Sequence, residues 1–333
     1  MPFAKDKHST NARGGTEQMK FGLQARIKPE LLDKFQIFVS RIEEPLDPSK
    51  IRIYWAHDLP GDPGADFLHN GGWKSFHKLV FASNWQMQGF IQTYNIPWSM
   101  CVVLRNCIDP ITNLYKPKHT MRLVYWATPH RGLVLFPPVL DAINAKYGDR
   151  VKVDIFSSFE LYGWKERDEY FRELFQKLES HPLVTMHGTV DNNTLRNHLA
   201  SSHIMAYPSI WQETSCICLM EAMSAGMIAV HPNYGALYET GANWTFMYQW
   251  TEDPEQHVNM FAATLFDAID HFWDESVQGQ LQAQKVYADA FYNWEGRARQ
   301  WEQLLLNLVH TVGNQTSLPK APNEPMFVFS TLD

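Results

Sequence analysis

Two glutamates eight positions apart, Glu213 and Glu221, are the side chains in this sequence best placed to do chemistry. They bracket the start of a helix predicted from about Thr214 to Gly226, with Thr214 and Ser215 as capping hydroxyls and free backbone N–H groups between them. A helix N-terminus stabilises phosphate, and carboxylates accept hydrogen bonds from sugar hydroxyls. The pattern therefore favours a ligand that is anionic at one end and rich in hydroxyls at the other.

The elements that must position these side chains alternate along the chain. Strand-like apolar runs are separated by helical stretches, which predicts parallel sheets with helices on their faces and, at this length, two doubly wound domains across a cleft. The predicted strands are 36–39, 51–55, 78–83, 100–104, 122–126, 151–155, 183–186, 204–207 and 227–230. The predicted helices include 84–94, 166–179, 193–200, 254–273 and 277–309.

Three polar residues come shortly after predicted strands of the N-terminal half, namely His57, Asp58 and Asn106. Ligands of open α/β sheets bind beyond the carboxyl ends of the strands, so we expect these residues to face the cleft. A surface histidine in a turn is the alternative interpretation of His57. Near the N-terminus, Gly14 and Gly15 open an amphipathic helix, and such a turn can present N–H groups to an anion, although Gly-Gly pairs are also common in ordinary loops.

Composition narrows the class of protein. The chain has 333 residues, 45% of them hydrophobic and 20% charged, which is typical of globular domains. Its net charge of −7 argues against a general binder of nucleic acid or anionic membranes. No apolar run resembles a membrane span, and the first residues lack the apolar core of a signal peptide, so we expect the chain in the cytoplasm. The four cysteines lack zinc-finger spacing, so we expect buried or unreactive thiols in a reducing compartment. The expected partner is a small molecule or a neutral surface.

Several motifs stand in order along the chain. They are Gly-Gly-Thr-Glu (14–17), Ala-Ser-Asn-Trp-Gln (82–86), Leu-Arg-Asn-Cys-Ile-Asp (104–109), Arg-Gly-Leu (131–133), His-Gly (187–188), Tyr-Pro-Ser (207–209), Glu-Ala-Met-Ser-Ala-Gly (221–226) and Val-His-Pro-Asn-Tyr-Gly-Ala-Leu-Tyr-Glu (230–239). Together with the Glu-x7-Glu spacing, they resemble retaining glycosyltransferases of the two-Rossmann GT-B type, especially the family 4 enzymes among the glycosyl transferases group 1. The similarity spans roughly residues 12–310.

The resemblance implies a role for each residue of the glutamate segment. Glu213 looks like the catalytic acidic residue that faces the donor sugar. The backbone N–H groups of Thr214, Ser215 and Cys216 would lie close to the donor phosphates. Glu221 looks like the residue that binds the ribose hydroxyls.

Four further residues receive roles from the same resemblance. Arg131 resembles the basic residue that neutralises the diphosphate leaving group. Gly14 and Gly15 would let the N-terminal loop approach donor phosphate or acceptor, and His57 matches a catalytic histidine near the donor sugar.

The implied reaction is transfer of a hexose, of the mannosyl or glucosyl kind, from a nucleoside diphosphate sugar to a carbohydrate or lipid-linked acceptor with retention at the anomeric carbon. The leaving phosphate itself would take the acceptor proton. The chain has no Asp-x-Asp motif, so no metal and no other cofactor is expected, and positive charge would come from Arg131 and the helix dipole.

The implied domains are an acceptor-side domain at 1–115, a nucleotide-sugar-binding domain at 116–285, a helix at 286–310 that packs back on the first domain, and a tail at 311–333. Two departures from the family pattern are expected to matter. A second basic residue usually precedes the one at Arg131, and here only His130 could replace it. Only 13 polar residues precede Gly14, so the central strand expected before the glycine turn is either lost or replaced by another segment, and the first domain is expected to be truncated.

Three alternatives remain open at this stage. A GT-B epimerase or phosphorylase would share the fold, although the missing pyridoxal-phosphate lysine motif argues against a phosphorylase. A catalytically silent module that binds a nucleotide sugar or a glycan would share both the fold and the motifs.

Overall fold

The computed structural model describes residues 14–313, and its first half contains a sheet of four parallel strands. The strands stand side by side in chain order: β1 (Phe35–Val39), β2 (Ile51–Trp55), β3 (Lys78–Phe81) and β4 (Cys101–Val103). No strand precedes the first helix within the described residues, and residues 1–13 lie outside them.

The second half contains a parallel sheet of six strands whose order reverses. The strands are β5 (Met121–Trp126), β6 (Val151–Phe156), β7 (Val184–Met186), β8 (Ile204–Ala206), β9 (Ile228–Pro232) and β10 (Phe246–Tyr248). Their order across the sheet is β10-β9-β8-β5-β6-β7, so β5 lies between β6 and β8. The connections on the two sides of β5 therefore diverge, which opens a crevice beyond the carboxyl ends of β5 and β8.

Helices cover both sheets. They are α1 (Gly15–Gln24), α2 (Pro29–Leu32), α3 (Asn84–Tyr94), α4 (Phe136–Tyr147), α5 (Arg172–Glu179), α6 (Asn192–Ser201), α7 (Ile217–Ser224), α8 (Leu237–Gly241), α9 (Pro254–His271), α10 (Glu275–Phe291) and α11 (Trp294–Gly313). The predicted α/β architecture with parallel sheets is thus confirmed. Among these residues no helix combines the length and apolar character that crossing a bilayer requires.

One predicted helix, 277–309, is wrong, because the chain breaks between α10 and α11. The side-chain oxygen of Asn293 accepts a hydrogen bond from the Gly296 N–H at 2.7 Å and so caps α11. The carbonyl of Tyr292 accepts from the Ile108 N–H at 2.7 Å, which ties the break to the segment between the two sheets. The break lets α11 leave the second sheet.

Helix α11 lies on the N-terminal sheet. The Trp301 ring lies 4.7 Å from the ring of Trp55 on β2, and Leu305 is fully buried in the same cluster. The last helix of the described residues therefore completes the core of the first half. The part of the predicted tail at 314–333 lies outside the described residues.

A carboxylate from the second half clamps a helix of the first. Glu239 on α8 accepts hydrogen bonds from the Asn84 N–H at 2.9 Å and the Trp85 N–H at 3.0 Å, both in the first turn of α3. It also pairs with the Arg105 guanidinium at 2.7 Å. A negative charge at a helix N-terminus is stabilising, so this contact holds the two halves together.

Replacing Glu239 with glutamine is therefore expected to destabilise the protein by about 1–3 kcal/mol, because a neutral amide loses the charge-assisted bonds to Arg105 and α3. Urea denaturation of the full chain measures this change. Glu295→Gln is the control, since Glu295 pairs with Arg299 on the exposed surface of α11 and such pairs contribute at most about 1 kcal/mol. Equal destabilisation by both substitutions would contradict the stabilising role of Glu239 between the two halves.

Candidate active site

A cavity of about 210 Å³ lies between the two halves, beyond the carboxyl ends of β5 and β8. Residues from both halves line it. The first half contributes Gly15, Thr16, Gln18, His57 and Asn106. The second half contributes Trp126, Thr128, Arg131, Phe156, Ser158, Tyr162, Thr189, Tyr207, Glu213, Thr214, Ser215, Cys216 and Glu221, among others.

Glu213 lies at the centre of a buried polar cluster and is 5% exposed. Its Oε1 atom contacts the Arg131 guanidinium and accepts a hydrogen bond from the Tyr207 hydroxyl at 2.5 Å. The backbone is fixed as well, since the Ala236 N–H donates to the Glu213 carbonyl at 2.7 Å. A Cβ atom at Gly235 would lie 2.6 Å from the Glu213 nitrogen, so a side chain there would displace the glutamate.

Arg131 reaches Glu213 from a short 3₁₀ helix, Pro129–Arg131, that follows β5. The next residue, Gly132, has φ +117°, and a Cβ atom there would lie 2.1 Å from the Pro208 carbonyl oxygen. Burial alone would lower the pKa of Arg131, but the Glu213 carboxylate raises it well above its usual value, so the guanidinium stays charged. Of the described residues that line the cavity, it is the only lysine or arginine.

His130, which the sequence offered as a replacement for the second basic residue before Arg131, does not supply a positive charge to the cavity. Its ring stacks on Phe159 at 5.3 Å and meets the edge of Trp211, and it is not among the residues that line the cavity. Burial, together with Arg131 and Arg167, lowers the pKa of His130 to about 4, so the ring is neutral at neutral pH. Among the described residues that line the cavity, no second lysine or arginine therefore accompanies Arg131.

The helix after Glu213 begins later than predicted, at Ile217 instead of Thr214. The bonds that hold the Glu213 backbone against Gly235 keep the chain extended before the helix. The Thr214 hydroxyl does not cap the helix but donates to the His57 carbonyl at 3.0 Å. Thr214, Ser215 and Cys216 nevertheless line the cavity next to the helix N-terminus.

His57 faces the cavity, as the sequence predicted. Its ring packs on Trp55 at 4.8 Å, and burial lowers its pKa to about 3, so it is neutral at physiological pH. Asn106 also lines the cavity. The expectation for Asp58 was wrong, because its carboxylate pairs with Arg41 at 3.5 Å and it is not among the lining residues.

The half-buried His57 gives a testable pH dependence. Its folded pKa of about 3 lies below the usual 6.5, so the unfolded chain binds a proton that the folded chain does not. The stabilisation is fully present above pH 6.5 and is lost as pH falls toward 3. His57→Gln is expected to reduce the slope of unfolding free energy against pH in this window by at most about 1.4 kcal/mol per pH unit.

Urea denaturation at a series of pH values measures that slope. His119→Gln is the control, because His119 is exposed and its removal is expected to leave the slope unchanged. An unchanged slope in the His57 variant would show that the imidazole is solvated in the folded protein.

Glu221 lies on α7 with its carboxylate buried at the cavity wall. The Trp126 indole N–H donates to Oε2 at 3.3 Å, and the Arg196 guanidinium lies 3.3 Å from Oε1. Burial raises the pKa of Glu221, while Arg196 and the Trp126 bond oppose that shift. A carboxylate held in this way can still accept hydrogen bonds from hydroxyl groups in the cavity.

The glycine turn also reaches the cavity. Gly15 and Thr16, in the first turn of α1, line it. A Cβ atom at Gly14 would lie 2.4 Å from the Tyr162 ring, and one at Gly15 would lie 3.0 Å from Ile217. The absence of side chains at both positions therefore allows α1 to approach the second half closely.

The sequence did not identify several residues that line the cavity, including Thr128, Ser158, Tyr162 and Thr189. Their position could have identified them, because they follow the carboxyl ends of β5, β6 and β7, where ligands of such sheets bind. Four buried polar atoms of the lining have no hydrogen-bond partner in the described part of the chain: His57 Nε2, Asn106 Oδ1, Thr128 Oγ1 and Ser215 Oγ. Buried polar groups are normally satisfied, so these atoms indicate a polar ligand or water.

Two sheets of this kind facing each other across a cavity define the GT-B fold of glycosyltransferases. Residues 148–266 match the family model described as Glycosyl transferases group 1. The resemblance to the glycosyl transferases group 1 is thereby confirmed over these residues, and the match does not distinguish retaining or family 4 enzymes. No curated protein matches the chain significantly in sequence.

Solved structures extend the similarity to both halves. A glycosyltransferase from Rickettsia africae ESF-5 has a TM-score of 0.64 at 12% identity, over 92% of this chain and 84% of that one. HepE from Anabaena in complex with UDP-glucose has a TM-score of 0.60 at 17% identity, over 78% and 73%. Sucrose-phosphate synthase from Thermosynechococcus elongatus has a TM-score of 0.62 at 12% identity, over 89% and 79%. At these identities the likeness establishes the fold.

Proposed function

We propose that this protein transfers a hexose from a nucleoside diphosphate sugar to a carbohydrate or lipid-linked acceptor, with retention of anomeric configuration and without a catalytic metal. The observation that carries the proposal is the cluster of the buried Glu213 and Tyr207 with the half-buried Arg131, which shares one cavity with Glu221. Cation, carboxylates and a helix N-terminus thus meet where the strand order reverses.

Each group has a defined part in donor binding. The diphosphate would lie at Arg131 and at the N–H groups of the Thr214–Cys216 segment, where the helix dipole adds positive potential. The ribose hydroxyls would donate to Glu221. The hexose would contact Glu213 and the neutral His57, and the first turn of α1 would lie beside donor phosphate or acceptor.

The chemical step follows from these positions. The bond between the anomeric carbon and the phosphate oxygen breaks, and the acceptor oxygen forms the new bond on the same face. The acceptor proton passes to the leaving phosphate oxygen. Arg131 stabilises the negative charge that develops on the diphosphate, and the carboxylate of Glu213 stabilises positive charge on the sugar ring.

We place this activity in the cytoplasm, and the support is the state of the cysteines. Within the described chain, Cys101, Cys107, Cys216 and Cys218 are all free, and burial raises the pKa of Cys107 to about 12. Free thiols, two of them buried, suit a reducing compartment.

The test is incubation of the full chain with a panel of nucleoside diphosphate sugars, followed by measurement of released nucleoside diphosphate. Slow hydrolysis of one donor in the absence of acceptor supports a transferase. Failure to bind or hydrolyse any donor would contradict the proposal.

A catalytically silent module that binds a nucleotide sugar or a glycan is the second candidate. One observation favours it: Arg131, the single lysine or arginine lining the described cavity, is already paired with Glu213, so little net positive charge is left for a diphosphate. Tight binding of a donor without turnover would select this candidate.

Glu221→Gln is expected to weaken binding of a nucleoside diphosphate by about 10-fold, since an interaction with a charged group contributes about 1.5–3 kcal/mol and the amide retains part of it. Calorimetric titration with the nucleotide measures this loss, and kcat with saturating donor is expected to change much less. A variant that binds the nucleotide as tightly as the unaltered protein would remove Glu221 from the ribose site.

A further inference from the structure

A second group of side chains able to act as ligands lies outside the donor cavity. Asp154 is on β6, His187 directly follows β7, and His198 is on α6. One ligand atom from each lies within 4.8 Å of the other two. The carboxylate of Asp154 lies 2.7 Å from His187 Nε2, and the two imidazole rings are 4.9 Å apart.

Both rings are held in place by an aromatic neighbour. Phe156, two residues after Asp154 on β6, stacks on His187 at 4.3 Å with an interplanar angle of 8°. It meets the His198 ring edge-on at 5.1 Å. All three potential ligands are partly exposed, so an ion can reach them from solvent. Strand β6, the segment after β7 and helix α6 thus hold two imidazoles and one carboxylate close together in fixed orientations.

We propose that Asp154, His187 and His198 bind a divalent transition metal of the zinc class. Imidazole nitrogen and carboxylate oxygen are ordinary zinc ligands, and three protein ligands leave a fourth position for water. Zinc bonds of about 2.0–2.2 Å hold ligand atoms about 3.4 Å apart in a tetrahedron. The Asp154–His187 contact therefore opens slightly, and the His198 ring moves inward.

The site is separate from the transfer chemistry. None of its three ligands lines the donor cavity, so it is compatible with a reaction that needs no catalytic metal. The neighbouring Gly188 does line the cavity, as do Phe156 and Leu195 of α6. A bound ion would tie the segment after β7 to α6 and stabilise this wall of the cavity.

Metal binding to untagged, chelator-treated full-length protein tests the proposal directly. Calorimetric titration with Zn²⁺ is expected to show one equivalent bound in the micromolar range or tighter, and Co²⁺ is expected to give a visible spectrum of nitrogen and oxygen ligation. His198→Gln and Asp154→Asn should each weaken Zn²⁺ binding by about 100-fold or more, since even outer-shell partners contribute about 10–100-fold.

The control is His271→Gln, which removes a histidine lying 2.8 Å from Asp274 and 3.7 Å from Asp267 on the protein surface. His271 is the single histidine beside these two carboxylates, and its replacement is expected to leave Zn²⁺ binding unchanged. Circular dichroism verifies that each variant is folded. Absence of stoichiometric binding, or equal affinity of the His198 variant, would overturn the proposal, as would loss of binding in the control.

Discussion

Replacing Glu213 with glutamine is expected to lower the rate of donor turnover by about 10²–10³-fold or more while the nucleotide still binds. The amide keeps an oxygen for the Tyr207 hydroxyl and the Arg131 guanidinium, so the cluster can remain assembled. It loses the negative charge proposed to stabilise the sugar in the transition state. Release of nucleoside diphosphate, measured beside calorimetric binding, separates the two effects.

Glutamine is chosen over alanine because the glutamate is buried. Removing the side chain would leave the Arg131 charge and the Tyr207 hydroxyl without their partner, and breaking a buried pair commonly costs about 3–5 kcal/mol. Glu173→Gln, on α5 and outside the cavity lining, is the matched control and is expected to leave turnover unchanged. Unchanged turnover in the Glu213 variant would remove this residue from the reaction.

The second large effect is expected from Gly132→Ala, which should destabilise the protein by about 3 kcal/mol or more. The backbone φ of +117° disfavours any side chain, and the added Cβ would lie 2.1 Å from the Pro208 carbonyl oxygen. Relief of that contact must move the Arg131 segment away from the Pro208 turn. Urea denaturation is expected to show the stability loss, and titration should show weaker nucleotide binding.

Gly61→Ala separates the two causes of this loss. Gly61 also has a positive φ, +84°, but no heavy atom lies within 4 Å of a Cβ atom there. The Gly61→Ala variant is expected to lose only the about 1–2 kcal/mol of stability that a side chain at positive φ costs, and to bind the nucleotide as the unaltered protein does. Equal losses in the two alanine variants would show that the close approach of Gly132 to Pro208 is unimportant.

Much of the candidate site could be predicted because its residues occupy positions that local sequence patterns define. Apolar runs alternating with amphipathic stretches predicted parallel sheets, and positions just after the strands predicted cavity residues such as His57 and Asn106. The Glu213–Glu221 spacing and Arg131 were identified from their motifs, and the structure brings all three to one cavity.

The remaining features depend on contacts between distant segments. The bridge between Glu213 and Gly235 delays α7, and the Arg41 pair turns Asp58 away from the cavity. Neither contact has a periodic signal in the sequence. The reversal of strand order around β5 is likewise a property of the assembled sheet.

The histidine and aspartate cluster illustrates the same limit. His187 follows β7 and His198 lies on α6, whereas Asp154 lies on β6, separated from His187 along the chain by α5 and β7. Only the pairing of β6 with β7 and the packing of α6 bring them together. Their spacing matches no short metal motif, so sequence reasoning gave no reason to connect them.

The most direct test of the central claim is turnover of labelled nucleoside diphosphate sugars by the full chain, with the Glu213→Gln variant measured in parallel. The proposed function predicts release of nucleoside diphosphate from one donor, its loss in the variant, and a released or transferred sugar that retains its anomeric configuration by NMR. Donor binding without any turnover by the unaltered protein would contradict the claim.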